Sequence, residues 1–318
     1  MPDLQPLFLR FHDAIKLDNL DQNRLLRQRR DQLLDTLRPN LQKVLAAAGE
    51  PRITFQFNNQ GSYATGTGIR PLHGDFDIDV GLFFKIEPAD YPDPTVLKQW
   101  VLDALGGFDA TLRRPCITVT FAGPPRYHVD LPIYAVRGNG PPQLALGFRK
   151  SKDKGWEPSD PLGLVKTLNE RHAGDDGQQF RRVIRYLKRW KEVCFPAKGN
   201  AAPVGVALAC AALHWFQPHG SSRRGYDDLG ALTALVEDMA SQFETRDLGA
   251  GPQPYLNVRV PVVPHDNPLE RMSGKQMGAL QRKLEALRAG LVEAGATAGQ
   301  RPAAKGLRAF LGEAFPLG

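Results

Sequence analysis

Two aspartates stand one residue apart in an apolar run, Phe76-Asp77-Ile78-Asp79-Val80. On a β-strand, alternate side chains point to opposite faces, so Phe76, Ile78 and Val80 face a core and Asp77 and Asp79 stand side by side on the other face. Neighbouring carboxylates repel, and the pair calls for a cation or a proton between them. Hard divalent ions such as Mg²⁺ prefer oxygen ligands of this kind. The run Tyr127-His128-Val129-Asp130-Leu131-Pro132-Ile133 has the same logic: Val129, Leu131 and Ile133 share one face and Asp130 lies on the other. If the two strands are neighbours, three carboxylates converge, the arrangement that two-metal, in-line phosphoryl transfer requires. Gly61-Ser62 precedes Asp77 by about fifteen residues and is continued by Gly66 and Thr67. A glycine and serine that follow a strand and open a short turn expose backbone N–H groups and a hydroxyl suited to β- and γ-phosphates. An Asp-x-Asp pair alone reads as a solvated surface pair, and a Gly-Ser pair alone says less. The joint pattern is far more specific.

The elements that must position these residues can be read from periodicity. Residues 4–49 repeat apolar positions near 3.6 and read as helix, with a kink or break expected at Pro39. Strands are expected at 52–57, 76–84, 116–122 and 126–135, and a helix at 94–105. Gly123, Pro124 and Pro125 separate the last two strands. Beyond about residue 160, segments 161–172, 178–194, 203–217, 227–245 and 269–295 suit helices, with one short strand expected at 255–262. The tail from Gly290 to Gly318 is rich in Ala and Gly and gives no clear element. The chain reads as a mixed catalytic lobe followed by a helical lobe, spanning 1–155 and 156–318 as one two-lobed unit.

Composition narrows the class. The 318 residues carry a net charge of +7 and are 42% hydrophobic and 24% charged, which argues against disorder and is compatible with a polyanionic ligand, nucleotide or nucleic acid. Three cysteines, Cys116, Cys194 and Cys210, show no C-x-x-C spacing, so a disulfide framework or Cys-rich zinc site is not expected and a reducing cytoplasm is. Met1 to Arg10 does not have the pattern of a secretory signal. The most apolar stretch, Ala201 to Phe216, is short for a membrane span and reads as a buried helix, so no membrane partner is expected.

The stretches Gln60-Gly61-Ser62-Tyr63-Ala64-Thr65-Gly66-Thr67 and Asp75-Phe76-Asp77-Ile78-Asp79-Val80-Gly81 strongly resemble the bacterial cGAS/DncV-like nucleotidyltransferases, the signal synthases of CBASS anti-phage systems. The motif-level similarity runs from about residue 56 to 135, and the helical second half is compatible with it. The resemblance implies an α+β fold: a polymerase-β-like nucleotidyltransferase lobe with a mixed sheet and helices, plus a helical second lobe, braced by a long N-terminal helix. It places the family's Gly-Ser motif on Gly61 and Ser62, and its catalytic metal ligands on Asp77, Asp79 and Asp130. It implies two Mg²⁺ ions (or Mn²⁺), ATP and GTP as substrates, attack of a ribose hydroxyl on an α-phosphate, release of pyrophosphate, and closure of a cyclic di- or trinucleotide. Similarity to dinucleotide-producing members leans toward a product such as cyclic GMP-AMP. It further implies an effector that responds to the product. It is compatible with a ubiquitin-ligase-like partner acting on the C-terminus, here Phe315-Pro316-Leu317-Gly318. Nothing has the Cys/His spacing of the zinc loop by which animal cGAS grips DNA.

Family members place a lysine on a second-lobe helix against the triphosphate. On helix 178–194 the basic edge is Arg181, Arg185 and Lys188, with Lys188 the first choice and Arg185 the second. A solvated basic face reads equally well. The serine that members often carry near the start of the next helix is missing from Ala201-Ala202-Pro203-Val204-Gly205-Val206. Around Arg271 and Ser273 a capped helix start is favoured over a base contact. Tyr63 is expected to pack, and His73 is given no role. Two rivals remain: a nucleotidyltransferase for RNA ends or a small-molecule hydroxyl such as an aminoglycoside, and a non-catalytic nucleotide- or RNA-binding module. Three clustered carboxylates that repel phosphate argue against the second.

Overall fold

The computed structural model describes the chain apart from residues 1–2, 18–19, 73–75, 124–125, 138–139, 149, 198, 200, 222–224 and 248–250; Asp75 and His73 lie outside the described residues. The elements in chain order are α1 (Gln5–Ile15), α2 (Leu20–Ala47), β1 (Phe55–Gln60), α3 (Gly61–Ala64), β2 (Phe76–Phe84), α4 (Pro94–Ala104), β3 (Asp109–Leu112), β4 (Ile117–Phe121), β5 (Tyr127–Leu131), β6 (Ile133–Ala135), β7 (Gln143–Leu146), β8 (Gly155–Pro158), α5 (Pro161–Glu170), α6 (Gly174–Cys194), α7 (Gly205–Trp215), the hairpin β9 (Gly220–Ser221) and β10 (Gly225–Tyr226), α8 (Asp228–Ser241), the pair β11 (Glu244–Asp247) and β12 (Pro252–Tyr255), α9 (Gly274–Ala296) and α10 (Gln300–Leu311).

An eight-stranded mixed sheet is ordered β3-β4-β5-β2-β6-β7-β8, with β1 also paired to β2. β5 and β6 both run parallel to β2, and Pro132 between them lends its carbonyl to the Leu82 N–H. The alternation anticipated in β2 and β5 holds: Ile78, Val80, Val129 and Leu131 are fully buried on one face, in a core shared with α2 and α4. The aspartates occupy the other face.

The expected N-terminal helix is two helices, α1 ending at Ile15 and α2 beginning at Leu20, and α2 runs through Pro39. The reason is burial. Leu26, Leu33, Leu34, Leu37, Leu41 and Leu45 bury on both sides of Pro39. At roughly 1.5–3 kcal/mol each they outweigh the ~3 kcal/mol of an internal proline. Pro39 itself is exposed. The actual break occurs where the backbone joins another segment: Leu17 N–H donates to Gly68 O at 3.1 Å and Arg70 N–H to Ile15 O at 2.7 Å.

Two hydrophobic clusters result. One joins α2, the sheet and α4. The other gathers α1 with α6 to α10. The tail that offered no clear element forms α10, with Ala303, Ala304, Leu307, Leu311 and Phe315 buried. Of the expected strand at 255–262 only Tyr255 is in a strand, at the end of β12; beyond it Leu256, Val258 and Val260 bury alternately without a ladder partner among the described residues. The strands β3, β7 and β8 were not anticipated. Among the described residues no helix is long and apolar enough to cross a membrane.

Candidate active site

Register brings the three carboxylates together. Asp77 lies opposite His128 and Asp79 opposite Asp130 across the parallel β2–β5 pair. β1 flanks β2 on its other edge, pairing Gln60 with Asp79, so the turn that begins at Gly61 opens beside Asp79. The approach is close: a Cβ on Gly61 would lie 1.9 Å from Asp79 Oδ2, and Gly61 has φ +63°. Only glycine meets both conditions.

Burial raises the pKa of Asp79 to about 7, with the charges of Asp77 and Asp130 adding to the effect. Asp77 is shifted upward by the same causes, burial first and then Asp130, though solvent reaches Asp77 and screens the repulsion there. Among the described residues no three such side chains close into an ion-sized cluster. Asp79 turns an oxygen toward Gly61, and Asp130 Oδ1 accepts from Thr118 Oγ1 at 2.6 Å. The donor set nonetheless suits a hard divalent cation: all-oxygen, triply acidic, and held at an energetic cost that a cation relieves.

Asp79 lies between two cavities. The larger, about 700 Å³, is lined by Gly61, Ser62, Thr67, Asp77, Asp79 and Lys188 together with apolar residues including Leu168, Phe195 and Val204. The smaller, about 280 Å³, is bordered by Asp79 and Asp130 together with Gln60, Cys116 and Tyr134. The larger volume falls in the range of ligand clefts, roughly 300–1,000 Å³.

Lys188 lines the larger cavity, and its ammonium donates to Thr67 O and Thr67 Oγ1, both at 3.1 Å. Burial, and then the charge of Lys191, lowers its pKa to about 8. Arg185 is not among the residues lining either cavity. Its guanidinium donates to Gly66 O and to Gly68 O and meets His12 Nε2 at 2.9 Å. Sequence reasoning missed Lys191, which lines the larger cavity one turn beyond Lys188; the i, i+3 spacing from Lys188 was the available signal. It missed Thr118 too, whose role follows from its register opposite Asp130. Ser273 caps α9 in a reciprocal capping box, as favoured. Tyr63 is half-buried against the sheet core.

Thr118→Val keeps the shape and removes the donor. If Asp130 ligates a divalent cation, the expected outcome is about a 10-fold or larger loss of Mn²⁺ affinity, since outer partners of ligating carboxylates typically carry 10–100-fold. Thr118→Ser should remain within a few-fold of the parent in the same titration.

Residues 55–134 match the family model described as cyclic GMP-AMP synthase DncV-like, nucleotidyltransferase domain. Among solved structures, Vibrio cholerae DncV in complex with ATP, GTP and 5MTHFGLU2 superposes with a TM-score of 0.70 at 16% identity, covering 98% of this chain and 97% of that one. A DncV complex with the linear intermediate 5′ pppA(3′,5′)pG gives a TM-score of 0.61 at 18% identity, covering 98% and 88%. The Bradyrhizobium diazoefficiens CD-NTase CdnG in complex with GTP gives 0.72 at 16% identity, covering 98% and 96%. Residues 55–134, which hold Gly61, Ser62, Asp77, Asp79 and Asp130, thus match a DncV-like nucleotidyltransferase domain, and the chain shares the fold of DncV and CdnG along nearly its whole length.

Proposed function

We propose that the chain condenses nucleoside triphosphates, ATP with GTP, into a cyclic oligonucleotide signal of the cyclic GMP-AMP kind that serves anti-phage defence in the cytoplasm by activating an effector. One observation carries this reading: Asp77, Asp79 and Asp130 share one sheet face by register, and Asp77 and Asp79 line the larger cavity together with the Gly61–Ser62 turn. The nucleotide complexes of DncV and CdnG support the choice of substrates.

The residues divide the work. Ser62 and the backbone N–H groups of the turn hold the donor's terminal phosphates, and Lys191 offsets their charge across the cavity. Asp130, bordering the smaller cavity, faces the acceptor's ribose hydroxyl. Asp79, bordering both cavities, stands where acceptor and donor meet. Mg²⁺ held by Asp77, Asp79 and Asp130 would supply charge neutralisation at the α-phosphate and activation of the attacking hydroxyl. Attack forms the new phosphodiester and expels pyrophosphate, and a second transfer closes the ring.

The test is incubation with the four labelled NTPs and Mg²⁺ or Mn²⁺, followed by phosphatase and mass spectrometry. A phosphatase-resistant cyclic product that disappears in Asp77→Ala/Asp79→Ala establishes the reading, and its mass gives the bases. Transfer seen only after RNA or a small-molecule hydroxyl is added would replace it with an acceptor-modifying nucleotidyltransferase.

A further inference from the structure

Residues 66–70 follow the phosphate turn and belong to no strand; one isolated bridge, Ile69 to Lys16, is their only ladder contact among the described residues. The segment is nonetheless held along its length. Gly66 O and Gly68 O accept from Arg185, the latter at 3.3 Å. Thr67 O accepts from Lys188 at 3.1 Å, and Arg70 O from Arg189 at 2.5 Å. Three cations at i, i+3 and i+4 on α6 therefore satisfy the carbonyls of residues 66, 67, 68 and 70. From the other side the end of α1 meets the same stretch, Leu17 N–H on Gly68 O and Arg70 N–H on Ile15 O.

We propose that Arg185, Lys188 and Arg189 of α6 form a backbone clamp that fixes the phosphate turn against the helical core, with Arg185 as a positioning residue for that turn and not a phosphate ligand. Resting on the nucleotidyltransferase reading, this names what holds the donor-phosphate side of the site in place. Arg185 is anchored behind by His12. For His12 Nε2 to accept from the guanidinium the ring must be neutral, and burial, followed by the charge of Arg185, lowers the His12 pKa to about 4. Gly66 has φ +60° and Thr67 N–H returns to Ser62 O at 3.0 Å, so displacement of residues 66–68 carries directly into Ser62 and Thr67. Both line the larger cavity. Arg181, on the same helix, donates instead to its own helix at Gly177 O and serves as a basic control.

The experiment is hydrogen exchange on the full chain without nucleotide, paired with equilibrium binding of a non-hydrolysable ATP analogue. In Arg185→Ala the amides of Leu17, Thr67 and Arg70 should exchange about tenfold faster or more, while the core amides of β2 and α7 stay protected. Affinity for the analogue should fall about tenfold, with KM rising and kcat within a few-fold. Arg185→Lys, able to reach one carbonyl, should recover part of both effects, and Arg181→Ala should show neither. Loss of analogue binding with unchanged exchange would make Arg185 a phosphate ligand and overturn the clamp. Unchanged binding with unchanged exchange overturns it as well. Exchange needs no turnover, so it judges the clamp separately from the product assay.

Discussion

Replacing Gly61 with alanine is expected to reduce nucleotidyl transfer by about 10²-fold or more while leaving the chain folded. The new Cβ would fall 1.9 Å from Asp79 Oδ2, a separation no non-bonded carbon and oxygen sustain, so either the carboxylate or the turn must move. A displacement of about 1 Å in groups that orient reacting atoms is enough for an effect of that size. The left-handed backbone at φ +63° adds about 1–2 kcal/mol of strain for any side chain, a small part of the roughly 5–15 kcal/mol that holds a folded protein together. Single-turnover assays with NTPs, set beside thermal melts, check this. Gly306→Ala, in α10 with open space around its Cβ, is the matched control and should leave activity unchanged. Full activity in Gly61→Ala would show that the orientation of Asp79 does not depend on this close approach.

The second large effect concerns stability. Asp228, fully buried at the start of α8, gathers the helical core around one charge. Arg182 reaches it with two N–H groups, Nε to Oδ2 at 2.7 Å and Nη2 to Oδ1 at 2.8 Å. Tyr186 OH donates to Oδ2 at 2.9 Å, Gln179 Nε2 to Oδ1 at 3.2 Å, and the Asp228 N–H donates to Gln5 Oε1 at 2.7 Å. Residues of α1 and α6 thus meet at one residue of α8, α6 at its carboxylate and α1 at its backbone N–H. Asp228→Ala strands a mostly buried guanidinium without its counter-charge, an expected loss of about 3–5 kcal/mol. Urea unfolding should show the midpoint falling with the slope preserved. The double variant Asp228→Ala/Arg182→Met, which removes both charges, should recover a substantial part of the loss. Additive effects of the two single substitutions would mean that the pair is not coupled.

The chemistry was far more legible in the sequence than its supports. Asp77, Asp79 and Asp130 could be placed on one face because strand period is local, and the apolar residues between them state the register. Gly61 could be singled out because a left-handed turn leaves a compositional mark. Pro39 misled, since propensity is local whereas the leucines that override it act through the sheet. β7 and β8, QLAL and GWEP, lack the run of β-branched alternation that marks a strand, and they form at the sheet's far edge by pairing with each other. The fate of Arg185 was unreadable for a different reason. Its partners, Gly66, Gly68 and His12, are more than a hundred residues away and contribute two carbonyls and a neutral ring, none of which leaves a charge pattern to match.

The two cores are nested in sequence. Residues 4–15 and 168–315 build the helical core, and the whole sheet core, residues 26–145, is inserted between them. Phe8 meets Phe315 at 5.1 Å between ring centroids, and Gln300 Nε2 donates to Asp3 O at 2.5 Å. During synthesis the sheet lobe can close on itself once β8, ending at Pro158, has emerged, but α1 must wait, its apolar face uncovered, for α6 and for Phe315 far downstream. The clamp on residues 66–70 needs α1 and α6 together, so the phosphate turn acquires its final form after the sheet that carries the aspartates. A half-made chain therefore holds its three carboxylates in register while the turn beside them is still unanchored, and the cleft they share is finished only when the helical core closes.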